Sequence, residues 1–115
     1  MNRSSGILLP VSALPGPCGI GDLGADARDF IDFLAVAGQR YWQILPLNPP
    51  DGAHSPYLSA STFAGSTDLL SPEPLVKRGA LTAAEVCAVN WGSDPMRVDY
   101  ECVRAGKTAL WAAAF

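Results

Sequence analysis

The residues best suited to chemistry lie in one short motif, Ser55-Pro56-Tyr57, with His54 directly before it. A tyrosine ring packs well against the apolar C–H face of a hexose, and a serine hydroxyl can hydrogen-bond the rim of the sugar. Pro56 has a fixed φ and favours an extended Ser55, which would hold Tyr57 rigidly in its loop. The residues alone leave two interpretations open: a sugar-contacting loop, or a tyrosine that anchors the loop to the core.

His54 is the single histidine of the sequence. It could titrate near neutral pH or orient a sugar hydroxyl. A solvated side chain is the default expectation for a lone histidine in a loop. His54 is also the sole candidate base for a serine nucleophile, and the Ser59-Ala60-Ser61 region has no nucleophile-elbow pattern. The sequence therefore does not support a serine nucleophile.

A second pattern, G-x-G-x-x-G, is formed by Gly19, Gly21 and Gly24 ahead of a predicted helix. In dinucleotide-binding folds these glycines let a pyrophosphate approach the start of the helix. There the motif directly follows a strand, whereas here a proline-containing stretch separates it from Leu9. The sequence therefore favours a loop that needs positive φ over a nucleotide site.

The acidic residues near this loop are spaced as a dispersed face and do not bring two carboxylates to one reaction centre. They are Asp22, Asp26, Asp29 and Asp32. The three cysteines, Cys18, Cys87 and Cys102, have no zinc-ligand spacing and are expected to be free thiols in a reducing cytoplasm. We therefore predict no catalytic residue, no cofactor and no metal within this chain.

Length and composition are those of one small globular domain, with 115 residues, of which 49% are hydrophobic and 17% charged. The net charge of −3 argues against nucleic-acid binding, which needs a basic face. The apolar run from Ile7 to Leu9 is interrupted by Pro10, so neither a signal peptide nor a membrane span is expected.

The elements that must position the motif form a strand–helix–strand unit. Ile7-Leu8-Leu9 predicts a buried strand, and Tyr41 to Leu45 predicts a second one that ends at Pro46. Between them, apolar residues recur at helical spacing and Gly38 suits the end of the helix; the apolar residues are Ala27, Phe30, Ile31 and Leu34. Such a unit has parallel strands, and apolar residues of both parities in the second strand predict burial on both faces.

Further along, three helical segments are expected. Leu75 to Arg78 predicts a helical turn, Thr82 opens a capping box with Glu85, and Asp99 can cap a last helix that runs to Phe115. No linker is visible, so residues 1–115 are read as one unit without a second domain. Two strands cannot close a barrel, which takes about 250 residues, and the apolar end from Leu110 to Phe115 has no evident partner. We expect an N-terminal piece of a larger protein.

The sequence resembles the bacterial 4-α-glucanotransferases, also called amylomaltases or disproportionating enzymes, over nearly its whole length. The segments that carry the resemblance are Ser5-Gly6-Ile7-Leu8-Leu9, Leu14-Pro15-Gly16, Gly19-Ile20-Gly21-Asp22-Leu23-Gly24, Phe33-Leu34, Ala37-Gly38, Tyr41-Trp42-Gln43-Ile44-Leu45-Pro46-Leu47, Ser55-Pro56-Tyr57, Phe63-Ala64-Gly65, Arg97-Val98-Asp99-Tyr100 and Lys107.

This resemblance implies an α/β fold, namely the N-terminal fragment of a (β/α)8 TIM barrel of the α-amylase-like kind, with the start of an inserted subdomain. It implies transfer of α-1,4-glucan segments to acceptor sugars by a retaining double displacement, with α-1,4-glucans and maltooligosaccharides as partners. By the same resemblance Ser55 and Tyr57 are substrate-binding residues. The family's catalytic carboxylates have no matching positions here, so the chain alone is expected to be inactive.

Three departures from the family pattern stand out. An Asp often precedes the S-P-Y motif in relatives, and this sequence has His54. Ser66 stands where an Asn commonly follows Phe-Ala-Gly, and the loop from Asn48 to Ala53 lacks an aromatic residue that relatives can carry. The alternative to an enzyme fragment is a non-catalytic glucan-binding module, which should bury its own apolar C-terminal end.

Overall fold

The computed structural model describes residues 3–115 and begins with the expected strand–helix–strand unit. Strand β1 spans Gly6–Leu8, helix α1 spans Ala25–Val36 and strand β2 spans Tyr41–Gln43. The strands pair in parallel, with Ile7 opposite Trp42 at the centre of the register. The predicted parallel arrangement is therefore confirmed, although β2 is shorter than expected and ends before Ile44.

The rest of the chain is helical and irregular. Helix α2 spans Glu73–Lys77, α3 spans Ala83–Ala88 and α4 spans Tyr100–Ala114, and short 3-10 turns occupy Val11–Ala13 and Thr67–Leu69. None of the helices within residues 3–115 combines the length and the apolar character needed to cross a bilayer.

The local signals at the helix ends are confirmed. Gly38 follows α1 with φ of 70°, the left-handed conformation that glycine adopts without steric cost. Thr82 and Glu85 form a reciprocal capping box at the start of α3. The Asp99 carboxylate accepts a hydrogen bond from the Cys102 N–H at the start of α4, which lowers the pKa of Asp99.

The core is formed by α4, α1 and the loops that follow β1, together with Leu81, and no residue of β1 or β2 belongs to it. Its apolar members are Val11, Leu14, Cys18, Ile20, Ala27, Leu34, Leu81, Val103 and Leu110. The expectation that the apolar end of α4 has no partner is thus wrong for Leu110, which is buried, while Phe115 is exposed.

The expectation of two buried strands is also wrong for the described residues. Leu8 is 58% and Tyr41 is 63% exposed. Only Trp42 is partly covered, by an edge-on contact with Phe30 of α1 at 5.1 Å between ring centroids. The sheet has two strands within residues 3–115, so each strand has one edge and much of its surface free of partners there.

Candidate functional site

A cleft opens at the carboxyl ends of the two parallel strands. Its volume is about 270 Å³, and residues that follow β1, such as Pro10 and Val11, face residues that follow β2, such as Leu45 and Leu47. The lining is mostly apolar, with a few polar side chains: Ser12, Asn48, His54, Ser66, Asp68 and Tyr100. Open α/β sheets bind ligands outside the carboxyl ends of their strands, so this cleft is the candidate site.

One wall of the cleft is an excursion of the chain, residues 48–66, which starts after β2 and returns to Leu47. Asn48 fastens its base, because its side-chain amide lies 3.0, 2.6 and 3.2 Å from the carbonyl oxygens of Ser61, Thr62 and Ala64. The Ser66 N–H closes the base by donating to the Leu47 carbonyl oxygen at 2.7 Å.

The S-P-Y motif lies at the tip of this excursion, in a loop that is tied by its own hydrogen bonds. The Asp51 N–H donates to the Leu58 carbonyl oxygen at 2.9 Å, and the Leu58 N–H donates to that of Ser55 at 3.2 Å. The Ser55 hydroxyl accepts from the Tyr57 N–H at 3.4 Å. This set of bonds gives residues 51–58 a defined shape without help from the core, and we call these residues the tip loop.

Tyr57 points away from the protein interior and is 72% exposed. It does not anchor the loop to the core of the described chain, so that interpretation is set aside. The residues on either side of Ser55, His54 and Pro56, line the cleft, whereas Ser55 and Tyr57 are not part of its lining. Substrate binding by Ser55 and Tyr57 stays a prediction, with both residues beside the mouth of the cleft.

His54 is not the solvated side chain expected from sequence. Its ring is stacked on the ring of Tyr100, with 4.3 Å between centroids and 8° between planes. Its Nδ1 is buried and has no hydrogen-bond partner among the described residues. Its backbone has φ of 58°, a left-handed conformation that is uncommon outside glycine.

A buried ion pair lies behind the cleft, and the sequence did not reveal it. The Lys107 side chain is 1% exposed, and its ammonium lies 3.3 Å from Oδ2 of Asp22. It also donates to the carbonyl oxygens of Asp68 and Leu70, each at 2.7 Å. Buried lysine is rare unless paired. Here it joins α4 to two loops, both of which supply cleft residues, such as Ile20 and Leu69.

Asp22 is therefore not part of an acidic surface, as its spacing had suggested. It is buried, while Asp29 and Asp32 on helix α1 are exposed. The resemblance covered both Asp22 and Lys107, but no periodic pattern predicts that residues so far apart in sequence form a pair. Nearby, burial raises the pKa of the Cys18 thiol to about 11, against an opposing effect of the Lys107 charge.

The glycine-rich loop is packed against the chain itself. Gly19 has φ of 70°, as expected for such a loop. Gly21 has no positive φ; a side chain there would overlap the carbonyl oxygens of Val11 and Leu14. Because the space that glycine leaves free is filled by protein backbone, the nucleotide interpretation is wrong.

The charged groups at the cleft are few. Among the described residues, Asp68 is the sole carboxylate in its lining, and one of its oxygens lies 3.7 Å from the guanidinium of Arg104. Within residues 3–115, no group of three or more His, Cys, Asp or Glu side chains is arranged to hold a metal ion. The three cysteines are free thiols, as predicted.

Comparison with known proteins identifies the family. The family model described as 4-alpha-glucanotransferase matches residues 9–115. The chain belongs to this family. Among its curated relatives, the 4-alpha-glucanotransferase of Streptococcus pneumoniae is 49% identical over 98 residues, which are 85% of this chain and 19% of that protein. The enzyme of Thermus thermophilus is 44% identical over 113 residues, 98% of this chain and 22% of that protein.

A solved structure agrees with the sequence relatives. The amylomaltase from Streptococcus agalactiae, determined in complex with acarbose, superimposes with a TM-score of 0.94 at 36% identity. The match covers 98% of this chain and 23% of that one. The chain thus spans about a fifth of the length of the glucanotransferases it matches.

Proposed function

We propose that the protein containing this chain is a 4-α-glucanotransferase, which transfers α-1,4-glucan segments to acceptor sugars in maltodextrin, glycogen or starch metabolism. The observation that carries the proposal is the family match over residues 9–115, in a chain whose cleft lies at the carboxyl ends of parallel strands. The reaction would be a retaining double displacement, in which a glycosyl–enzyme intermediate is resolved by a sugar hydroxyl instead of water.

The fold of the whole protein would be a (β/α)8 barrel. Residues 1–115 would supply its first strand, first helix, second strand and the loop and helices of an inserted region, without a separate second domain. Two observations support this: β1 and β2 pair in parallel, and their outer edges have no partner among residues 3–115, where Leu8 and Tyr41 are largely exposed. Barrel enzymes place their active sites at the carboxyl face, where the cleft lies.

Within that enzyme, this chain would bind substrate and leave the chemistry to other segments. A retaining mechanism needs two carboxyl groups about 5–5.5 Å apart, and Asp68 is the one carboxylate that residues 3–115 place in the cleft lining. The exposed Tyr57 ring would pack against the apolar face of a donor glucosyl unit, and the Ser55 hydroxyl would bond its rim. The partners would be α-1,4-glucans and maltooligosaccharides, in keeping with a related amylomaltase that binds acarbose. Free thiols favour a cytoplasmic location.

The test uses protein expressed from the complete coding sequence and incubated with maltotriose. Transfer predicts glucose together with maltooligosaccharides longer than the substrate, resolved by chromatography of the products. Hydrolysis alone would yield only shorter sugars, and no change in the sugars would contradict both activities. Asp29→Ala, at an exposed position of helix α1, is the control variant and should form the same products as the wild type.

A second candidate function is a non-catalytic glucan-binding module. The observation that favours it is that residues 3–115 place one carboxylate in the cleft, whereas a retaining mechanism needs two. The same protein would then be retarded in a gel that contains maltodextrin, yet it would leave maltotriose unchanged. Formation of longer products excludes this candidate.

A further inference from the structure

The tip loop, residues 51–58, is well bonded within itself and is joined to the rest of the protein by a ring contact. His54 supplies that contact, since its ring is stacked on Tyr100 at the start of helix α4. Both residues line the cleft. Ser55 follows His54 directly and Tyr57 lies three residues after it, so the backbone conformation at His54 contributes to where their side chains point.

The ring of His54, rather than its nitrogen, carries this contact. Nδ1 makes no hydrogen bond to any described residue although it is buried. An unpaired buried polar atom destabilises the conformation that contains it. The left-handed backbone at φ of 58° adds a second unfavourable term. A conformation with two such terms persists only where other contacts outweigh them. The His54 N–H donates to the Asp51 carbonyl oxygen at 3.0 Å within the loop, and the ring stack is the contact that His54 makes with a distant segment.

We propose that His54 is a positioning residue for the glucan site: its stack on Tyr100 holds the tip loop so that Ser55 and Tyr57 face a donor glucan. The proposal rests on the proposed function, because the donor is the substrate of that reaction. The chemical property required at position 54 is a flat ring on a residue that tolerates positive φ.

The experiment compares matched substitutions in protein expressed from the complete coding sequence. His54→Phe keeps a ring and removes both nitrogens. His54→Asn keeps the tolerance of positive φ and removes the ring. Tyr100→Leu removes the ring from the other side, and the double variant His54→Asn/Tyr100→Leu tests whether the two act as a pair. Asp29→Ala is the control.

The kinetic readout is KM and kcat with a maltodextrin donor and glucose as acceptor. We expect His54→Asn and Tyr100→Leu to raise the donor KM by about 3- to 10-fold, the range that one aromatic pair represents. The double variant should be no worse than the poorer single variant. His54→Phe should raise the donor KM less than His54→Asn does, because it keeps the ring, although phenylalanine tolerates the positive φ less well than histidine. Loss of donor affinity in His54→Phe equal to that in His54→Asn, or unchanged KM in His54→Asn, would overturn the proposal.

A second readout does not depend on activity. Hydrogen exchange at the Tyr57 and Leu58 amides, whose acceptors lie within the tip loop, should be faster in His54→Asn than in His54→Phe. If the wild-type protein transfers no glucan, the proposed function fails, and hydrogen exchange together with retention on a maltodextrin gel still decides the role of His54. A uniform fall in melting temperature with unchanged local exchange would show a merely structural role and overturn the proposal.

Discussion

At the scale of single residues, Lys107 is the side chain on which we expect folding stability to depend most. Its buried ammonium is bound by one carboxylate and two backbone carbonyl oxygens in place of water. Lys107→Met would leave the Asp22 carboxylate buried without its counter-charge. Breaking a buried pair on one side costs about 3–5 kcal/mol, so we expect a loss of that order in the free energy of unfolding, measured by urea titration.

Two companion variants make this prediction specific. Lys77 forms an exposed pair with Glu73, so Lys77→Met should change stability by less than about 0.5 kcal/mol. Lys107→Met combined with Asp22→Leu should recover part of the loss, because neither charge then remains buried. Equal effects of Lys107→Met and Lys77→Met would contradict the structural role assigned to the pair.

Tyr57 belongs to the same scale but affects function instead of stability. We expect Tyr57→Ala to lower kcat/KM for a maltodextrin donor about fivefold, since a ring contact with a hexose contributes on the order of 1 kcal/mol. Part of the loss should fall on kcat, because orientation at the reacting sugar matters most in the transition state. Ser55→Ala should have a smaller effect. The melting temperature should not change, as the Tyr57 ring is exposed.

The control is Asp29→Ala, which should match the wild type in both kinetics and melting. Wild-type kinetics for Tyr57→Ala would remove this residue from the glucan site. An activity loss that follows a lowered melting temperature would make Tyr57 a structural residue.

The Cys18 thiol should make the free energy of unfolding depend on pH in the alkaline range. Burial raises its pKa from 9.0 to about 11 in the folded protein, so the folded state holds the thiol proton more tightly than the unfolded state. Its contribution to stability is complete below about pH 9 and is lost as the pH rises towards 11. We expect Cys18→Ala to show a smaller loss of unfolding free energy between pH 8 and pH 11 than the wild type. Parallel curves for the two proteins would argue against a buried thiol.

At the scale of elements, the excursion of residues 48–66 depends on the Asn48 amide. This amide donates to three carbonyl groups from the returning part of the chain. Asn48→Asp has the same shape but presents an acceptor to those carbonyls, so it should loosen the excursion more than Asn48→Ala does. Limited proteolysis with mass spectrometry should show faster cleavage within residues 51–64 for both variants.

The matched control is Asn90→Ala, in the loop before helix α4. Asn90 accepts a hydrogen bond from the Gly92 N–H, and its side-chain amide donates to the Cys102 sulfur, so its hydrogen bonds lie outside the excursion. Its substitution should leave cleavage within residues 51–64 at the wild-type rate. Equal protection in Asn48→Asp and the wild type would show that other contacts hold the base of the excursion.

At the scale of the whole molecule, the exposed sheet predicts how residues 1–115 behave when expressed alone. Leu8 and Tyr41 lie on strands with open edges, which pair readily with other chains. We expect concentration-dependent association in analytical ultracentrifugation and no transfer on maltotriose. Leu8→Lys should reduce the association. A monodisperse monomer with a cooperative melt would contradict this expectation.

The sequence by itself determined those features that depend on neighbours along the chain. Helix α1 was evident from its apolar period, the start of α3 from Thr82 and Glu85, and the end of α1 from Gly38. Each of these signals acts within one or two helical turns, through hydrogen bonds or backbone sterics that the local residues supply. The family, and the location of the S-P-Y motif after the second strand, could likewise be predicted from the sequence alone.

Only the tertiary structure decided which side chains meet. Lys107 and Asp22 are 85 residues apart in the chain. Lysine and aspartate side chains are mostly exposed in proteins, so neither residue was expected to be buried. His54 looked like a solvated residue, because nothing near it in sequence indicates that the ring of Tyr100 lies 4.3 Å away. Burial and stacking depend on the packing of distant segments, and that packing follows from the sum of many contacts which no local pattern contains.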